Sequence, residues 1–133
     1  MTVRARDRGA TAVEVALLMP ILLVLVMGIV DFGRALHAQI TLTQAAREGV
    51  RVAALQQPNA AGRTQSAATG LSGVGVTVTS CPTGSAGGSS AEVQATYTFE
   101  FITPIGALAG MFGGGGIGAP ITLSAKGVMP CEG

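Results

Sequence analysis

The sequence predicts an α+β protein: a long N-terminal transmembrane helix that continues into an amphipathic helix and packs on a small antiparallel sheet. Three observations carry the prediction. An apolar run, VALLMPILLVLVMGIV, covers residues 15–30 without a charged side chain. The segment after it keeps helical spacing of apolar and polar residues, and three later segments alternate with a period of two. Composition agrees, since 48% of the 133 residues are hydrophobic and 11% are charged. A soluble domain carries about 25% charged residues, so part of this chain does not face bulk water.

Residues 1–9, MTVRARDRG, form a short basic leader without hydrophobic period, expected to be disordered. Its Arg4, Arg6 and Arg8, against the single acid Asp7, make a basic flank of the kind retained on the cytoplasmic side of a membrane. Residues 10–33 are the predicted transmembrane helix. At the α-helical rise the uncharged run alone is about 24 Å long, and the weakly polar 10–13 stretch brings it near the thickness of a bilayer's hydrocarbon core. Pro20 removes one helical hydrogen bond, which predicts a bend near Ala16 and Leu17. Glu14 is the one charge at the head of the run. A lone carboxylate costs about 2.5–3.5 kcal/mol at the bilayer centre and less toward the edge, so Glu14 either reaches the headgroups or has a task of its own.

Residues 34–57 are predicted to extend the same helix. Leu36, Ile40, Thr43, Ala46, Val50 and Ala53 make a mostly apolar stripe, and His37, Thr41, Gln44, Glu48 and Arg51 a polar one. Asp31 and Arg34 are spaced to pair at the membrane boundary, and Pro58 followed by Asn59 marks a stop. The rest, 58–133, is predicted to be a small β-rich domain. Residues 59–73 are small and polar, a connector or a short helix. VTVTS at 76–80, AEVQATYTFEF at 91–101 and ITLSAKGV at 121–128 alternate as half-buried strands; in the second, Val93, Ala95, Tyr97, Phe99 and Phe101 share a face. The loops at 82–90 and 103–120 are rich in glycine, with four in a row at 113–116. Such a loop loses much entropy on ordering and is expected to be mobile unless Leu108, Met111, Phe112 and Ile117 meet a partner or cap the sheet. Cys81 and Cys131 both lie beyond the apolar run. They suit one disulfide if this part of the chain meets an oxidising compartment, and otherwise stand as two thiols.

Little in the chain suggests catalysis. His37 is the lone histidine, and neither cysteine has a CxxC or Cys-His neighbourhood, so a metal site is unsupported and no cofactor is expected. GLSGVG at 70–75 lacks the Lys-Ser or Lys-Thr of a phosphate loop, and Glu92 and Glu100 are too far apart along a strand to flank one bond. With a net charge of +1, one tyrosine and no tryptophan, nucleic-acid binding is disfavoured. Neither an enzyme nor a binder of small-molecule substrates is expected.

Gly9, Ala10, Thr11, Ala12, Val13 and Glu14, with the apolar run behind them, resemble the prepilin-peptidase signal of type IV pilin-like proteins. Such a signal has a basic leader, a glycine before the cut and a glutamate at the fifth mature position. More narrowly, RGATAVEVALLMPILLVLVMGIVDFGRAL with QAAREGVRVAA resembles the TadE/TadG family, pilin-like proteins of tight-adherence (Flp-type) pilus systems; the likeness is strongest over residues 8–55. The resemblance implies a pilin-like fold and a minor pilin or pseudopilin role. It also implies cleavage after Gly9 by a prepilin peptidase, and docking of Glu14 against other pilin-like subunits or the pilus assembly platform. Cleavage would leave five basic and six acidic side chains. The expected location is the cytoplasmic membrane, single-pass, N-terminus inside and C-terminal domain outside, or an extracellular pilus. Two other expectations compete: a secreted binding protein with a conventional signal peptide, or a single-span accessory protein unrelated to pili. The mature N-terminus separates the three, at Ala10, beyond the apolar run, or near Met1.

Overall fold

A computed structural model describes residues 3–84, 88–111, 113, 115, 116 and 118–131. Its elements run α1 (Val3–Ala54), α2 (Ala60–Ala67), β1 (Gly75–Thr79), β2 (Ser90–Phe99), α3 (Ile105–Met111) and β3 (Ile121–Pro130). The predicted α+β class is the observed one: a long N-terminal apolar helix, a short helix and a three-stranded antiparallel sheet in the order β1-β2-β3. Contacts divide the chain into two compact units. One takes in the chain up to Gly33 together with Phe101–Ala119; the other holds Arg34–Glu100 and Pro120–Gly133.

In the first unit α1 begins at Val3, so the leader expected to be disordered is helical from there. Arginine and alanine are good helix formers, and the single Gly9 costs only about 1 kcal/mol, too little to stop propagation. The helix runs unbroken through Pro20. Within the segment expected to be a mobile loop, residues 105–111 form α3. Pro104 directly precedes it and pre-sets the backbone for a first helical turn. Phe112, Ile117 and Gly114 lie outside the described residues.

In the second unit α1 ends earlier than Pro58. Gln56 takes a left-handed conformation (φ 54°), the Gln57 amide donates to the Val52 carbonyl at 3.0 Å and the Gln56 amide to the Ala53 carbonyl at 3.1 Å. These two bonds are a Schellman closure, formed here without glycine. Asn59, also left-handed (φ 70°), then caps α2 by accepting the Gly62 amide with its side chain, which settles the 59–73 stretch as a short helix plus connector.

The buried stripe of α1 keeps Ala46, Val50 and Ala53 of the predicted one but is turned away from its Leu36 and Ile40. Ala38, Leu42, Ala45, Ala46, Val50, Ala53 and Ala54 are buried, while Leu36 and Ile40 are 49% and 57% exposed. Small side chains decide the face, because they let the sheet and α2 approach. A β-carbon on Gly127 of β3 would stand 2.7 Å from the Ala46 carbonyl oxygen, and one on Gly49 would overlap the Thr64 hydroxyl of α2. Two clusters fill the space, one around Leu42, Ala46, Ala95 and Ala125 and one around Val50, Ala54, Ala91 and Val93. The sheet itself keeps the predicted alternation. Ala91, Val93, Ala95 and Phe99 of β2 are buried, whereas the opposite face carries the Lys126–Glu92 ion pair at 2.7 Å. At one end of the sheet Cys81, after β1, is bonded to Cys131, after β3, with their Cα atoms 5.9 Å apart.

Candidate functional site

The candidate site is the N-terminal half of α1. Between Glu14 and Asp31 no residue is charged, and large apolar side chains stand exposed all round the helix, among them Val15, Leu18, Ile21, Leu22, Leu25 and Ile29. An 18-residue window here has a mean hydropathy of 2.7, and none of it is buried within the protein. A helix apolar on every side needs an apolar surrounding. Among the described residues this is the one helix long and apolar enough to cross a membrane, and it lies near the N-terminus, consistent with single-pass anchoring.

Gly9, Ala10 and Glu14 all lie exposed on α1. Ala10 and Glu14 are four residues apart, hence one turn apart on the same face. A β-carbon at Gly9 would meet nothing within 4 Å, so no close approach among the described residues calls for glycine there. His37 is exposed on the later part of α1, and the described residues hold no group of three His, Cys, Asp or Glu side chains suited to a metal.

The far end of the apolar run has a feature that sequence reasoning missed. Asp31 is 1% exposed. Its carboxylate accepts the Ile102 and Thr103 amides, each at 3.4 Å, and the Thr103 hydroxyl. A buried carboxylate is costly unless hydrogen-bonded, and these donors supply that need. They arrive from 71 and 72 residues away, so no local spacing announces them. In the second unit, Arg34 sits over the Phe99 ring, 5.2 Å from its centroid, and donates to the Glu100 carbonyl at 3.5 Å. Also in that unit, Glu48 of α1 pairs with Arg63 of α2 at 3.0 Å beside a cleft of about 480 Å³.

The helix from Gly9, with Glu14 and Asp31 at the two ends of its uncharged run, falls within a match to a known sequence family. Residues 9–51 match the family model of the TadE-like proteins. The TadE-like segment opens at Gly9 and ends at Arg51, so it takes in the whole apolar run and most of the part of α1 that packs on the sheet. It includes Gly49, the point of close approach to α2. The match bears out the resemblance drawn from residues 8–55. No curated protein matches the chain, and no solved structure does.

Proposed function

We propose that this chain is a minor pilin or pseudopilin-like component of a tight-adherence pilus, held in the cytoplasmic membrane by α1 and processed by a prepilin peptidase after Gly9. The observation that carries the reading is the coincidence of three things at one place. The TadE-like match begins at Gly9, a carboxylate stands five residues on at Glu14, and the helix behind it exposes apolar side chains on every side. The arginines at 4, 6 and 8 hold the leader in the cytoplasm and send residues beyond about 31 outward. The Cys81–Cys131 bond suits an oxidising, non-cytoplasmic compartment.

Glu14 then serves subunit docking. Cleavage creates an ammonium at Ala10, and a carboxylate one turn away, on the same or a neighbouring subunit, neutralises it in a low-dielectric setting. The exposed Leu36 and Ile40 offer apolar surface on α1 for other pilin-like subunits or the assembly platform.

N-terminal sequencing of the protein from the membrane fraction tests the reading. Ala10 is the expected first residue. Gly9→Ala should slow processing, and a bulky residue there should leave nearly all of the chain as the slower-migrating precursor. A mature chain that begins at Met1, or beyond the apolar run, removes the peptidase step and with it the pseudopilin role.

A further inference from the structure

The charge pattern that marks one membrane segment marks a second membrane contact elsewhere in the same unit. From Phe101 to Ala125 the sequence has no charged side chain, and between 101 and 119 Thr103 is the lone polar side chain. A water-facing loop is ordinarily polar. Here instead Ile102 is 67% exposed and Met111 80% exposed, at the two ends of a stretch that contains α3, which has no acid in its first turn and no base in its last.

Asp31 fixes the level of this stretch. It is the first charge after the apolar run, so it marks where a spanning α1 leaves the hydrocarbon. Its carboxylate holds the Ile102 and Thr103 amides and the Thr103 hydroxyl. Residues 102 and 103 therefore sit at the depth of Asp31, and the stretch from there to Met111 is uncharged and exposes apolar side chains beside a lipid-facing helix. Exposed apolar side chains at that depth leave water by entering the boundary between headgroups and acyl chains, where the burial of apolar area favours them.

We propose that residues 101–111 lie in the interfacial zone of the bilayer, where Ile102 and Met111 contact lipid, as a second membrane-binding element beside the spanning helix. The inference rests on the reading of α1 as a transmembrane helix. The absence of lysine and arginine assigns the contact to the acyl-chain boundary and not to anionic headgroups, so it is indifferent to lipid charge.

The chain has no tryptophan, so Met111→Trp and Leu22→Trp each give a single-tryptophan reporter in the full-length protein. Both are reconstituted into phosphatidylcholine vesicles with lipids brominated either near the headgroup or deep in the chain, with acrylamide equilibrated across the membrane. Met111→Trp should be blue-shifted, protected from acrylamide, and quenched more by the shallow bromines than by the deep ones. Leu22→Trp should show the opposite depth preference. Adding phosphatidylglycerol should change neither. Full acrylamide quenching at Met111→Trp without bromine quenching, while Leu22→Trp is quenched, places the segment in water and overturns the proposal. Protection from both quenchers overturns it equally, because a second copy or another protein then covers the segment. If Leu22→Trp also escapes bromine quenching, the spanning helix fails and the lipid contact falls with it.

Discussion

At Gly49 the absence of a single methyl group allows α2 to lie against α1. A β-carbon there would overlap the Thr64 hydroxyl and come within 3.1 Å of Thr64 Cβ and 3.4 Å of the Ala60 carbonyl oxygen. Thr64 is wholly buried and donates its hydroxyl to the same carbonyl at 2.9 Å, so it has no open space to retreat into. Two opposing effects decide the outcome of Gly49→Ala. Helix propensity favours alanine by about 1 kcal/mol, and overpacking costs about 1–3 kcal/mol. The overlap is severe enough for the second to win, and the variant should lose about 1–2 kcal/mol in thermal or denaturant unfolding of the full chain in detergent. Thr64→Ala removes the obstructing oxygen, so in that background Gly49→Ala should be nearly neutral. Equal losses in both backgrounds would show that Thr64 is not what requires the glycine.

At the scale of elements, the end of α1 shows what local sequence can and cannot reveal. Pro58 looks like the stop, yet the helix closes at Ala54 because Gln56 accepts a left-handed conformation that glycine would adopt more readily. Gln56→Gly should therefore stabilise the second unit by about 0.5–1 kcal/mol, seen as a higher unfolding midpoint; a lower midpoint would mean that the Gln56 side chain contributes more than its backbone strain costs. The strands were legible because a half-buried sheet face imposes strict alternation, as at Val93, Ala95 and Phe99. The apolar segment was legible because the sequence carries no charge between Glu14 and Asp31 over a length that suits a bilayer. The packed face of α1 was legible only in part: Ala46, Val50 and Ala53 are buried as predicted, but size-weighted hydrophobicity favours Leu36 and Ile40, whereas close packing selects Ala38, Leu42 and Ala45. Helix α3 was hidden by the glycines around it, and the Asp31 bonds to Ile102 and Thr103 by their distance along the chain.

For the whole molecule, the covalent tie acts where the core is thin. The buried residues of the second unit are largely alanine and valine, and alanine contributes little apolar area per residue. The bond between Cys81 and Cys131 closes a separation of 50 residues. It joins the two edge strands across the start of β2, where Thr79 pairs with Glu92 and Ser90 with Pro130. On the chain-entropy estimate such a closure is worth about 4 kcal/mol, a large share of the roughly 5–15 kcal/mol that small domains have in total. Replacing both cysteines, Cys81→Ser with Cys131→Ser, should lower the unfolding free energy by about that amount, and reductant should do the same to the unaltered protein. On the proposed reading the apolar part of α1 depends on lipid and not on this bond. The double variant should therefore still sediment with membranes while residues 58–131 become sensitive to added protease. Protease resistance equal to that of the unaltered chain would show that the small-residue core holds the sheet without the crosslink.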